Sequence, residues 1–296
     1  MTIVKMGKQE LELGGKYLGW LRESNDILSH SSALRARIEE DGYLLIRGLH
    51  HPEKVLAARR AILENLDANG QIDRRYPLME GVVAEGARGA FLGGSKALTR
   101  APVFLELVES PEIMGFFARF LEGDVLTFDY KWLRVVGPGD FTGAHYDVVY
   151  MGRGTLNLYT VWTPIGDVTL EMGPLAVLVG SHRFEKIKET YGKMDVDRDH
   201  VEGWFTNDPI EMVDRYGGRW ATSEFRAGDA LIFGMFTMHA SLNNVSNRYR
   251  ISCDTRYQRA DEPVDERWIG ENPLAHYAWH KEKVVSMEEM RKRWGV

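Results

Sequence analysis

The chain has 296 residues, 44% of them hydrophobic and 27% charged, with a net charge of −6. That composition fits a globular protein able to bury a sizeable core, and no apolar run approaches the roughly 18 residues a membrane-spanning helix needs. The acidic balance counts against broad nucleic-acid binding, and the single cysteine, Cys253, excludes an intrachain disulfide and a thiolate zinc site. Any metal must therefore be held by His, Asp or Glu. Met1 to Gly15 lacks the continuous apolar stretch of a secretory signal, so the expected location is cytoplasmic.

The first third of the chain, residues 1–123, reads as helical with one early strand. Ser32 can cap a short amphipathic helix carrying Leu34 and Ile38 and stopped by Gly42, after which Tyr43 to Ile46 reads as a strand. Pro52 opens a second helix to Leu66, with Val55, Ala58, Ile62 and Leu66 on one face, and a third runs from Pro102 to Leu121. The segment between them, Gly81 to Ser95, is rich in Gly and Ala. It lacks the Lys-Ser/Thr ending of a phosphate loop and reads as a plain mobile loop.

From Asp124 the pattern changes to short β-rich runs: Val125 to Val136, Gly143 to Tyr150, Thr155 to Trp162, Leu175 to Val179, Ala230 to Phe233 and Tyr249 to Gln258. Strands at this spacing suggest a sandwich or jelly roll. A polar excursion from Ser181 to Trp220, with Asp195, Asp197, Arg198 and Asp199, is expected to lie over the mouth of the sheet. With no repeat and no linker, the expectation is one domain over 1–296, mainly β with flanking helices. In it a helical part, 1–123, packs on a β core, 124–260, and a C-terminal extension follows, 261–296.

The chemistry concentrates in His145-Tyr146-Asp147. On a strand, side chains alternate, so His145 and Asp147 point one way and Tyr146 the other. Such a pair supplies two ligands of a 2-His-1-carboxylate facial triad, although the same spacing also describes a surface ion pair. The apolar run Asp229 to Met238 then ends in His239, which alone would read as a satisfied core histidine. Eleven residues beyond His239 stands Arg250, whose guanidinium fork can clamp a carboxylate. Arg248 competes for that role, since alternation puts both arginines on one face.

The segment from Phe141 to Gln258 resembles the phytanoyl-CoA dioxygenase family of iron(II)/2-oxoglutarate oxygenases. The matching pieces are His145-Tyr146-Asp147, Val161-Trp162-Thr163-Pro164, Gly173 to His182, and His239-Ala240-Ser241 followed by Arg250. The resemblance implies a double-stranded β-helix of the jelly-roll, cupin-like type. It further implies iron(II) on His145, Asp147 and His239, and the far carboxylate of 2-oxoglutarate on Arg250. Trp162 and Ser241 would touch this co-substrate, and O2 would be the second one. The expected outcome is hydroxylation of a small organic molecule, with succinate and CO2 released. Because Asp147 stands where a halogenating relative has a small residue, halogenation is disfavoured.

Two other classes fit part of the pattern: a cupin-like metal isomerase or hydrolase, against which Arg250 counts, and a non-catalytic small-molecule binder, against which the intact ligand set counts. Tyr146, Tyr150, Tyr159, Met235, Phe236 and Met238 could line a pocket, but such residues in strands are more often core. His182 reads as a corner residue, His50 and His51 as solvated turn residues, and His200, His276 and His280 as lacking partners. The partner is expected to be a free small molecule, with no nucleic acid and no membrane. Specificity is assigned to the Ser181 to Trp220 excursion and to the segment bearing Trp268, His276, Tyr277 and Trp279. Neither the oligomeric state nor the identity of the substrate follows from the sequence.

Overall fold

The structure is a computed structural model that describes residues 2–277 and 284–296. Trp279 and His280 lie outside the described residues. The chain opens with a hairpin, β1 (Ile3–Met6) and β2 (Gln9–Glu12), and a strand β3 (Leu18–Trp20), where the sequence suggested only helices before Tyr43. Runs of three or four residues are too short for periodicity to register. Helix α1 (Ser31–Asp41) stops at Gly42, which adopts φ 88°, and β4 (Tyr43–Ile46) follows as expected. Ser32 lies inside α1 rather than capping it, because the helix begins at Ser31 with His30 at its N-cap, two residues before Ser32.

Helix α2 (Pro52–Ala68) buries the expected Val55, Ala58, Ile62 and Leu66. Each large aliphatic among them contributes about 1.5–3 kcal/mol relative to exposure. The Gly81 to Ser95 loop yields a two-residue edge strand, β5 (Ala90–Phe91), and the short helix α3 (Lys96–Thr99) follows. The single helix expected over 102–121 is two, α4 (Pro102–Val108) and α5 (Pro111–Leu121). Pro111 cannot continue a helix from α4, and the Ser110 hydroxyl caps the new one by accepting from the Ile113 N–H at 3.5 Å.

The remaining strands are β6 (Val125–Thr127), β7 (Trp132–Val136), β8 (Tyr159–Pro164), β9 (Leu175–Val179), β10 (Arg219–Thr222), β11 (Ala230–Gly234), β12 (His239–Ser241) and β13 (Arg250–Arg259). One sheet has the order β4-β11-β8-β13-β7-β5, with β6 also on β13, and a second has β12-β9-β10-β3. Their inner faces meet where Trp162, Leu231 and Phe233 pack against Val177 and Ala221. On the outer face of the larger sheet, Leu133, Val135, Ile251 and Cys253 bury against α2 and α4, while Val161, Ile232 and Tyr257 bury against α1 and α5. This is a jelly roll, a double-stranded β-helix with helices on one side. No helix among the described residues is long and apolar enough to cross a membrane.

Strand β13 inverts the usual pattern. Its apolar residues Ile251, Cys253 and Tyr257 face the helices, and the alternate positions Arg250, Ser252, Asp254, Arg256 and Gln258 are buried in the interior of the roll. Buried charges are tolerated only where they are paired or coordinate something, so this polar stripe marks the chemistry. Arg248 precedes the strand and is not on its inner face; it is exposed and ion-pairs with Glu80 at 2.9 Å.

Candidate active site

The expected strand over Gly143 to Tyr150 is absent. Ala144 bridges Thr206, His145 bridges His239, and the chain then turns into the short helix Val148–Met151. Asp147 sits at the N-cap of that helix with helical angles, φ −68° and ψ −28°. The two side chains therefore converge through a bridge and a turn, not through strand alternation. Tyr146 does point elsewhere, its hydroxyl donating to the Ser181 carbonyl at 2.7 Å. The His145 N–H donates to the His239 carbonyl at 3.0 Å and the His239 N–H to the His145 carbonyl at 3.1 Å, which sets the imidazoles 4.1 Å apart between ring centroids.

Each imidazole is fixed through its δ nitrogen, His145 against the Gly143 carbonyl at 2.8 Å and His239 against the Thr237 carbonyl at 3.0 Å. A carbonyl only accepts, so Nδ1 carries the proton and Nε2 keeps its lone pair, the arrangement a metal ligand needs. Burial, followed by the neighbouring His239, holds His145 well below the usual imidazole range, and burial lowers His239 as well. Burial pushes Asp147 up, but Arg256, His239 and His145 together outweigh it and keep the carboxylate ionised below its ordinary range. Two neutral imidazoles and one carboxylate thus share a buried point, their ligand atoms within 4.8 Å of one another and His239 Nε2 lying 3.8 Å from Asp147 Oδ1. Ligands about 2.1 Å from a common ion lie roughly 3–4 Å apart, so the donor set suits a divalent ion.

Arg250 is 1% exposed and its Nε has no hydrogen-bond partner. One Nη donates to Ser252 at 2.7 Å, and the guanidinium lies 5.9 Å from the centre of the Trp162 ring. Burial, then the nearby Arg134, lowers Arg250 to about 10. A buried guanidinium with an unsatisfied nitrogen can donate a hydrogen bond to an anion, a carboxylate included. Trp162 stands beside Arg250 on the inner face, also stacked against Phe225. Ser241 is buried on β12, and its hydroxyl accepts from the Thr142 N–H at 2.9 Å.

A cavity of about 660 Å³ opens beside the ligand set, bordered by His145, Asp147, Tyr150, Trp132, Arg134 and Arg256. The excursion adds Glu202, Gly203, Trp204 and Asn207 to its wall, and the C-terminal extension adds His276. Of the six aromatic and Met candidates, Tyr150 borders the cavity, whereas Tyr159 packs against Phe117 and Phe120 and Tyr146 against Tyr191. His276 has a partner after all: its Nδ1 lies 2.8 Å from Asp197 Oδ2. His182 bonds the Glu39 carbonyl and shapes a corner as expected, but His50 is buried against Thr163 rather than solvated. Thr160, Arg134 and Arg256 were not anticipated. The signal was a lone charge, Arg134, within the apolar run of β7 and, for Arg256, a polar residue at every second position of β13 from Arg250 to Gln258.

Several known proteins are similar. The curated 1-deoxypentalenic acid 11-beta-hydroxylase of Streptomyces exfoliatus is 26% identical over 250 residues, spanning 79% of this chain and 83% of that one. The alpha-ketoglutarate dependent epimerase SnoN from nogalamycin biosynthesis shares the fold with TM-score 0.55 at 18% identity, covering 87% of this chain and 93% of the other. EctD from S. alaskensis, solved with 2-oxoglutarate and 5-hydroxyectoine, shares it with TM-score 0.55 at 20% identity, covering 90% of each chain. The phytanoyl-CoA dioxygenase family model matches residues 38–252, a stretch that runs from α1 through the bridged histidines to the start of β13. With that match over most of its length, the chain belongs to the phytanoyl-CoA dioxygenase family of iron(II)- and 2-oxoglutarate-dependent oxygenases.

Proposed function

We propose that His145, Asp147 and His239 hold iron(II), that Arg250 receives the far carboxylate of 2-oxoglutarate beside Trp162 and Ser241, and that the protein hydroxylates a free small organic molecule. The observation that carries this reading is the buried convergence of two δ-protonated imidazoles and one ionised carboxylate, of which His145 and Asp147 border the cavity. Bound iron(II), 2-oxoglutarate and O2 supply the oxidant that exchanges a substrate C–H for C–OH, with succinate and CO2 as co-products.

The chain's own part is placement and exclusion of water. The carbonyls of Gly143 and Thr237 fix both imidazole rings, and Arg256 and Thr160 fix the carboxylate. Tyr130, Trp132, Tyr150 and Trp204 give the cavity an aromatic wall that suits a mostly apolar substrate of moderate size. Glu202, Asn207 and His276 offer polar contacts that would orient it. The excursion and the C-terminal extension, which supply these residues, are where we place specificity. We read the chain as one cytoplasmic domain without nucleic-acid or membrane partners, a reading supported by its net charge of −6 and its single cysteine, which is buried.

The test is to add iron(II) and 2-oxoglutarate without oxygen and look for a visible charge-transfer band, then admit oxygen and assay succinate. Absence of both would sink the proposal.

A further inference from the structure

Arg256 is 2% exposed and touches the ligand set through one carboxylate. Its Nη2 donates to Asp147 Oδ2 at 3.0 Å, and the Thr160 hydroxyl donates to that same oxygen. Oδ1, by contrast, faces His239 Nε2 across 3.8 Å. The two oxygens of Asp147 are therefore not equivalent, and the oxygen turned toward His239 is the one without these two donors.

The rest of the guanidinium is held by shape. Its carbon lies 4.2 Å from the centre of the Trp132 ring, while Nε and Nη1 find no hydrogen-bond acceptor. Trp132 is in turn wedged against Tyr130 and Trp268 at 4.8 and 4.7 Å between ring centroids. An arginine that leaves two buried nitrogens unpaired loses hydrogen-bond energy by doing so, and a purely structural role would be served better by an apolar residue of similar size. What the site gains is one directed, charge-assisted bond on one carboxylate oxygen.

We infer that Arg256 is a positioning residue of the metal centre: from its platform on Trp132 it engages Asp147 Oδ2 and so presents Oδ1 to the ion. This rests on the metal-site reading proposed above. Orientation of a ligand by a fixed outer partner typically changes metal affinity by about 10–100-fold, which sets the scale of the effect.

The test uses the purified full chain without 2-oxoglutarate and cobalt(II) as an absorbing stand-in for iron. Arg256→Met should weaken cobalt(II) binding at least about tenfold and alter its visible spectrum. Arg256→Lys, which restores the charge without the fork, should recover part of both. Circular dichroism of the metal-free proteins confirms that the variants are folded. Should Arg256→Met not fold, Arg256→Gln carries the test with the same expected direction. Arg248→Met, on the exposed Glu80 ion pair, should bind like the wild type. Wild-type cobalt affinity and spectrum in folded Arg256→Met or Arg256→Gln would overturn the positioning role and leave the metal site standing. No cobalt binding by the wild type would overturn both.

Discussion

Replacing Arg250 with Met should separate stability from co-substrate binding. Burial lowers the Arg250 pKa from 12.5 to about 10, so keeping this group charged at neutral pH costs the folded state about 3 kcal/mol. Its Nε is unpartnered, and the single hydrogen bond to Ser252 returns about 1 kcal/mol. Met fills a similar volume beside Trp162 without that cost, so the metal-free variant should be as stable as the wild type or more so, by up to about 2 kcal/mol. Binding should behave in the opposite way. Two charge-assisted hydrogen bonds to a buried carboxylate are worth about 3–5 kcal/mol, which corresponds to a loss of roughly 150- to 5000-fold in 2-oxoglutarate affinity. The assay is an anaerobic titration of the iron(II) protein with 2-oxoglutarate, followed by the charge-transfer band, alongside urea unfolding of the metal-free protein. Affinity within threefold of wild type would refute the clamp. A variant less stable by more than about 1 kcal/mol would refute the claim that Arg250 is held at a cost.

His239→Ala should abolish iron-dependent succinate formation with the fold retained by circular dichroism; equal iron affinity and turnover would remove His239 from the ligand set. Burial holds His50 at about 4, below the usual 6.5, so the unfolded chain takes up a proton first. The stability it contributes is complete above pH 6.5 and is lost as the pH falls toward 4, a span of about 3 kcal/mol. His50→Gln should flatten that part of the pH profile in urea unfolding, and an unchanged slope would show that other groups set it. Arg267 is buried among Asp195, Asp197 and Asp265; Asp195 keeps Arg153 and Asp197 keeps His276, but among the described residues Asp265 ion-pairs only with Arg267, so Arg267→Met leaves a buried carboxylate without its cation and should cost about 3–5 kcal/mol in the same measurement. Gly173 has φ 75°, and a Cβ there would meet the Leu242 carbonyl oxygen at 2.6 Å. Gly173→Ala should therefore lower stability by about 1–3 kcal/mol, read from the unfolding midpoint.

Where pattern and length agreed, the fold was legible. The Pro52 helix carries a 17-residue stripe whose period is unmistakable, and Tyr43 to Ile46 is a continuous apolar run closed by turn residues. The N-terminal hairpin was not legible, because Ile3 to Met6 pairs only with Gln9 to Glu12 and its alternation is shorter than one helical turn plus a residue. The break at Pro111 was written in the chain. Ser110-Pro111 is a helix start, and the apolar spacing on either side masked it. Strand β10 was lost for another reason: Arg219 to Thr222 closes the excursion, and its partners lie about forty positions earlier, in Ala176 to Val179, and at the N-terminus, in Leu18 to Trp20.

The convergence of the three candidate ligands was legible, and its geometry was not. His145, Asp147 and His239 do converge, yet the alternation that first suggested it does not exist, because the His145–His239 bridge and the turn at Asp147 do the work. A bridge between positions so distant in sequence leaves no local signature; only the order of the pieces carried it. Arg256 shows the converse. Its position in Arg250-Ile251-Ser252-Cys253-Asp254-Thr255-Arg256 obeys alternation, but no spacing in the chain ties it to Asp147, 109 residues earlier. A strand with polar residues at every second position, buried on both faces, has an interior that is not simply hydrophobic, and each of its charges demands a partner. Arg256 finds Asp147, Asp254 finds Arg134, and Arg250 has an Nε left unpaired. The same stripe thus divides by partner into an arginine on Asp147, a pair that neutralises itself, and a buried cation with a nitrogen still unpaired, and the roles proposed for Arg256 and Arg250 rest on that division.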